Sequence, residues 1–184
     1  MTIVVTGATG HLGRLIVESL LRDGTPAGDI VAAGRAIEKL DDLAARGVRV
    51  ARIDYTDPAS LAAAFEGADT VMLVSGSEVG KRFEQHSAVI DAAKAAGVGR
   101  IVYTSAPGAT TSALLLAPEH KATEEYLHAS GLPFTILRNG WYNENYTQAA
   151  QRAAETGTLA ASVGEGRVAS AADAQEVCAA IRAE

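Results

Sequence analysis

Six apolar runs of strand length, at residues 2–6, 29–34, 48–53, 69–75, 100–104 and 133–137, alternate with helical periodicity at about 11–23, 36–46, 58–66, 80–97, 117–130 and 144–156. Strands separated by helices need crossover connections, so the expected fold is α/β: a doubly wound parallel sheet with helices on both faces. Thr70-Val71-Met72-Leu73-Val74 and Ile101-Val102-Tyr103 are nearly continuous apolar runs, as expected of central strands. Local punctuation agrees. Asp57-Pro58 reads as a helix N-cap followed by a first-turn proline, and Gly97 and Gly131 read as helix stops.

The first run, Ile3-Val4-Val5, passes into Thr6-Gly7-Ala8-Thr9-Gly10-His11-Leu12-Gly13. The helix that follows carries Leu12, Leu15, Ile16 and Leu20 at spacings of three and four, one buried stripe, and Gly24 stands where that helix would stop. A strand that enters a glycine turn and then a helix leaves bare backbone N–H groups at the positive end of the helix dipole. In a Rossmann-like sheet this first turn holds the pyrophosphate of a dinucleotide. Residues Thr6 to Gly13 are therefore expected to bind one, against the alternative of a glycine-rich turn that binds nothing. A P-loop is excluded, because no Lys-Ser or Lys-Thr follows the glycines.

Composition narrows the function classes. The 184 residues suit one domain with a substantial core. A net charge of −6 and the lack of any Lys/Arg cluster argue against nucleic acid and against anionic membranes. The longest apolar runs, such as Ala113-Leu114-Leu115-Leu116-Ala117, are too short for a transmembrane span. His11, His86, His120 and His128 are scattered without zinc-ligand spacing, so no metal is expected. No G-x-S-x-G elbow occurs. With a strand starting at Thr2, no room for a targeting peptide, and one cysteine, Cys178, cytoplasmic residence is expected. Residues 1–157 form the expected dinucleotide-binding domain, and 158–184 the start of a small substrate-side region.

Ligands of open α/β sheets bind beyond the carboxyl ends of the strands, so the strand exits are the candidate site. Strand two exits at Gly34-Arg35 without the acidic residue that would bond the ribose hydroxyls of NAD. An arginine there offers donors to a 2′-phosphate, which favours NADPH over NADH; a solvated surface arginine is the plainer alternative. Strand three exits at Asp54-Tyr55, where the carboxylate can meet an adenine amino group or serve only as a loop acid. Strand four exits at Ser75-Gly76-Ser77-Glu78, small residues that let a ribose or flat ring approach the backbone, and strand five at Thr104-Ser105. Strand six exits at Arg138-Asn139-Gly140-Trp141-Tyr142-Asn143-Glu144-Asn145-Tyr146, where aromatic faces and asparagine amides suit a flat substrate with carbonyl oxygens. A capping segment whose aromatics merely pack is the alternative.

The combination of Thr6-Gly7-Ala8-Thr9-Gly10, Ser75 to Gly80, Tyr103-Thr104-Ser105, Glu119-His120 and Arg138-Asn139-Gly140-Trp141-Tyr142 resembles the NmrA-like branch of the atypical short-chain dehydrogenases, and within it the bacterial quinone-reducing members. The resemblance runs over essentially the whole chain. It implies NADPH on the Gly7–Gly13 loop, with Arg35, Ser75 to Ser77 and Asn139 to Asn145 lining the cofactor and quinone site. Members of that branch continue beyond the point where this chain ends, so the substrate side is expected to be shortened. An arginine expected two residues before Asp173 is replaced by Ala171.

The best-known short-chain dehydrogenases protonate an alkoxide with a Tyr-x-x-x-Lys pair, and none of the five tyrosines here has a lysine four residues on. A quinone that accepts a hydride becomes a weakly basic phenolate that solvent can protonate, so the missing pair suits that substrate. Asn143, or Asn139, is expected to hold a quinone oxygen, with Trp141 and Tyr142 stacking. In many relatives a lysine occupies the place of His120, which becomes an optional acid. Two alternatives remain at this point: an NADP(H)-binding redox sensor without turnover, and a cofactor-binding fragment without catalysis. The expected form in solution is a monomer or homodimer.

Overall fold

The structure, a computed structural model, describes residues 1–140, 142 and 146–158. Among the described residues there are six strands, β1 (Ile3–Val5), β2 (Ile30–Gly34), β3 (Arg49–Arg52), β4 (Thr70–Leu73), β5 (Arg100–Ser105) and β6 (Phe134–Arg138). The helices are α1 (His11–Arg22), α2 (Asp41–Ala45), α3 (Pro58–Phe65), α4 (Arg82–Ala95), α5 (Ala117–Ser130) and α6 (Thr147–Thr156). The strands form one parallel sheet in the order β3-β2-β1-β4-β5-β6, as the alternating pattern predicts.

That order creates the place where a ligand can sit. The chain leaves β1 for β2 and β3 on one side, then returns to lay β4 against the other edge of β1, with Ile3 opposite Ile30 on one side and Thr70 on the other. Connections after β1 and β4 therefore diverge, and a crevice opens above their carboxyl ends. The strand period of two distributes β1 between two cores. Val4 packs with Leu61, Phe65, Val89, Ile90 and Leu127 beneath α3, α4 and α5. Ile3 and Val5 pack with Ile16, Val17, Leu20, Leu40 and Leu43 beneath α1 and α2. The stripe read from α1 is thus the face that covers the sheet. Both predicted central strands, β4 and β5, lie inside the sheet, and all four residues of β4 are buried.

The structure corrects two boundaries. The helix expected over 36–46 divides into a 3₁₀ turn, Ile37–Leu40, and the short α2. Leu40 and Leu43, one on each side of the break, are both fully buried in the same core, since a spacing of three keeps them on one face in either helix type. The helix expected over 80–97 begins at Arg82, where a carboxylate from another helix receives the backbone N–H groups of Gly80 and Arg82. Of the helix expected over 144–156, residues 144 and 145 lie outside the described residues, and α6 ends at Thr156 as expected. The Asp57 cap is also as read: its carboxylate accepts the Ala59 N–H at 3.0 Å, with Pro58 in the first turn. Beyond Thr158 the expected small region lies outside the described residues. Among the described residues, no helix is long and apolar enough to cross a membrane, and no three His, Cys, Asp or Glu side chains are grouped to hold a metal ion.

Candidate functional site

At the exits of β1, β2, β3 and β4 lies a cleft of about 360 Å³. Its floor is the glycine turn. Ala8 N–H donates to Ala33 O at 2.9 Å and Gly10 N–H to Gly7 O at 2.9 Å, which fold the turn back over the sheet edge. Gly7 has φ +63°, a left-handed conformation that a side chain would strain. A Cβ on Gly13 would stand 2.3 Å from Gly7 O and 2.8 Å from Ala8 N, so the helix can approach the turn this closely only with glycine there.

Gly10 caps α1 without any side-chain bond, and no acidic residue stands in the first turn. The first helical bond runs from Arg14 N–H to Gly10 O, so the N–H groups of His11, Leu12 and Gly13 face the cleft end of the helix without an intrahelical acceptor. An anion with several oxygens fits this cradle of bare amides. Gly34 also lines the cleft, and Thr9 lies so close to it that a Cβ there would stand 2.6 Å from Thr9 Cγ2.

Charged groups flank one end. Arg35 lines the cleft, its side chain 75% exposed, with Nη1 3.5 Å from Glu78 Oε1 on the opposite wall. Arg52 Nη1 donates to Arg35 O at 2.8 Å and so brings a second guanidinium near. Asp54 Oδ1 accepts from the Thr56 N–H and hydroxyl at 2.9 and 2.7 Å; these bonds, helped by Arg35, hold its carboxyl below the usual range. The other wall is the β4 exit. Thr6 Oγ1 accepts Val74 N–H at 3.1 Å, and Thr104 Oγ1 accepts Ser75 N–H at 2.8 Å, which pin the loop to β1 and β5.

Of the residues singled out from sequence, Gly7, Thr9, Gly10, His11, Leu12, Gly13, Arg35, Asp54, Ser75, Gly76 and Ser77 come together on the cleft. Thr6, Ala8 and Thr104 lie buried beneath it as supports. Asn139 Nδ2 donates to Tyr142 Oη at 3.0 Å, and neither these two nor Gly140 is among the residues lining the cleft. Trp141 and Asn143 lie outside the described residues. His120 is placed away from the lining: it is 5% exposed, with Nδ1 2.6 Å from Tyr103 Oη. Burial, reinforced by Arg82, lowers its pKa to about 4, so it is neutral near neutral pH.

Ile53, Val74 and Gln85 also line the cleft. Ile53 and Val74 are the apolar ends of strand runs, a signal that was available, whereas nothing in the spacing of Gln85 on α4 points to a ligand. Equally silent in the sequence is a buried polar cluster of Arg82, His86 and Thr123, joined to Glu119, behind the β4 wall.

A doubly wound parallel sheet, with a glycine turn delivering a helix N-terminus into a cleft at its switch point, defines a dinucleotide-binding protein. The chain matches the family model described as NAD(P)H-binding over residues 7–184, and it belongs to that family. It is 49% identical over 180 residues to quinone oxidoreductase 2 of Escherichia coli, covering 98% of this chain and 63% of that protein. The crystal structure of the Escherichia coli NADPH-dependent quinone oxidoreductase QOR2 complexed with NADPH superposes with a TM-score of 0.87 at 48% identity, over 97% of this chain and 62% of that one. Triphenylmethane reductase from Citrobacter sp., complexed with NADP(H), matches with a TM-score of 0.88 at 38% identity, over 98% and 64% of the two chains. The family resemblance drawn from the motifs is therefore borne out, and the chain spans less than two thirds of the length of these relatives.

Proposed function

We propose that the protein binds NADPH in the cleft and uses it to reduce a quinone by two electrons. The reading rests above all on the amide cradle: Gly13, where a Cβ would stand 2.3 Å from Gly7 O, brings the α1 N-terminus to the cleft where a pyrophosphate would be held. Arg35, the donor at the β2 exit, would take the 2′-phosphate that distinguishes NADPH from NADH, displacing its 3.5 Å contact with Glu78. The identity to a quinone oxidoreductase supports the substrate class.

Bound NADPH supplies the reducing equivalent, a hydride from its nicotinamide. The chain's own residues bind and orient the two reactants. Main-chain groups of Gly7 to Gly13 would fix the pyrophosphate, Asp54 would meet the adenine end, and the Ser75–Ser77 backbone would take the ribose side. On sequence grounds Trp141 and Tyr142 stack on the quinone, and Asn143, or Asn139, donates an amide hydrogen to its oxygen. The reduced ring is a stabilised phenolate, so water delivers the proton and no buried acid is needed. His120, neutral and bonded to Tyr103, serves at most to orient that region.

The test is oxidation of NADPH and NADH followed at the reduced-nicotinamide absorbance, with and without a simple benzoquinone. Quinone-dependent oxidation, faster with NADPH, is expected. Binding without oxidation would replace the enzyme by a sensor of NADP(H).

A further inference from the structure

Behind the β4 wall, α4 and α5 meet through buried polar groups. Glu119, in the first turn of α5, accepts the N–H groups of Gly80 and Arg82 at Oε1, both at 3.0 Å, and Arg82 Nη1 at Oε2 at 2.9 Å. Arg82, 5% exposed, donates from Nε to Gly76 O at 2.7 Å. His86, fully buried, accepts Gly76 N–H at Nε2 at 3.0 Å. Its ring proton is therefore on Nδ1, which donates to Thr123 Oγ1 at 3.1 Å, and the Thr123 hydroxyl donates onward to Glu119 O at 2.8 Å.

Packing alone does not call for this arrangement. A buried ion pair carries a desolvation cost that an apolar pair of similar volume avoids. What the polar groups supply is directional bonding to the main chain at Gly76, Gly80 and Arg82, bracketing the loop whose residues Ser75 to Glu78 line the cleft. Both the N–H and the C=O of Gly76 are held, so the peptide planes on either side of a cleft residue are oriented from behind. A Cβ at Gly76 would also press on Gln85 Oε1 at 3.1 Å, so the loop lies close against α4.

We propose that Arg82, His86 and Glu119 are positioning residues for the cofactor, a clamp that sets the Ser75–Gly80 loop at the height a bound NADP(H) requires and ties that height to α5. The inference rests on the NADPH reading and concerns residues that touch neither cofactor nor substrate.

The experiment is calorimetric titration of the full chain with NADP⁺, steady-state kinetics with NADPH and a benzoquinone, and a thermal melt of each variant. His86→Leu removes the acceptor for Gly76 N–H, and Glu119→Gln removes the charge and turns an amide NH₂ toward one of its donors. Each is expected to weaken NADP⁺ binding about tenfold and raise KM for NADPH in proportion, with kcat at saturation within about threefold, as loss of a hydrogen-bonded support at the binding wall dictates. His86→Gln, which can again accept from Gly76 N–H, is expected to recover most of the affinity. Tyr126→Phe is the control, because it removes the exposed 2.9 Å bond from Tyr126 Oη to Asp91 that joins the same two helices elsewhere; parent affinity is expected.

Parent affinity in a folded His86→Leu or Glu119→Gln protein overturns the clamp, as does an equal loss in Tyr126→Phe, which would mean that helix docking in general is responsible. If His86→Leu fails to melt cooperatively, Glu119→Gln decides alone. A parent protein that binds no NADP(H) overturns the functional reading itself, and the clamp with it.

Discussion

Replacing Gly13 by alanine probes the cradle directly. The new Cβ would lie 2.3 Å from Gly7 O, 2.6 Å from Gly7 C and 2.8 Å from Ala8 N. Nonbonded carbon contacts settle near 3.5 Å or beyond, so relief takes a movement of about 1 Å. All three neighbours are main-chain atoms of the turn, and no side-chain rotation can supply it. Overpacking of this kind costs about 1–3 kcal/mol in stability, or roughly 2–12 °C in Tm for a chain of this size. A 1 Å displacement of the turn or the first turn of α1 stretches a phosphate bond of about 2.9 Å to about 3.9 Å, beyond hydrogen-bond range. Losing one bond to a charged phosphate is worth about 1.5–3 kcal/mol, which is roughly a 10- to 100-fold weaker Kd. Titration calorimetry with NADPH measures this loss, and a thermal melt measures the other. Gly28→Ala is the reference, since nothing lies within 4 Å of a Cβ there. Gly13→Ala protein that binds NADPH with the parent Kd would refute the cradle as the phosphate site.

Two further outcomes follow from charge. Arg35→Ala should weaken NADPH several-fold to about tenfold, a modest effect because the side chain is 75% exposed, and should leave NADH nearly unaffected; the KM ratio of the two cofactors reads this, and equal losses would remove Arg35 from the 2′-phosphate. Burial, with the charges of His120 and Arg82 added, lowers the His86 pKa from 6.5 to about 3. Between those values the unfolded chain binds a proton that the folded chain does not, so stability falls as pH drops below about 6.5, by about 2 kcal/mol at pH near 5 from this group alone. Urea midpoints at about pH 7 and pH 5 should show the drop, and His86→Gln should shrink it; an unchanged difference in that variant would assign the acid sensitivity elsewhere.

The strand–helix alternation and glycine turn were legible because they are local. A period of two or of three to four reports which face is buried, and the Asp57-Pro58 cap is written in adjacent residues. Reading each strand's exit brought most of the cleft residues into view, since the parallel sheet places all those exits on one side. The divided helix at residues 36–46 was hidden because Leu40 and Leu43 satisfy a helical stripe whether or not the backbone breaks between them. Gln85 was hidden too, as one polar residue on a helix looks like any solvated one.

From its residues alone this protein is a doubly wound α/β chain with a phosphate cradle at its first turn, because periodicity and glycine act on near neighbours and need no knowledge of the rest. Tertiary structure decided how the cradle's far wall is held. Glu119 reaches back 37 residues to receive Arg82, and His86 turns from a scattered histidine into the acceptor for Gly76. Those pairings depend on α5 packing against α4, and nothing in the spacing of Glu119, Arg82 and His86 encodes which of the chain's many polar groups that packing will bury together.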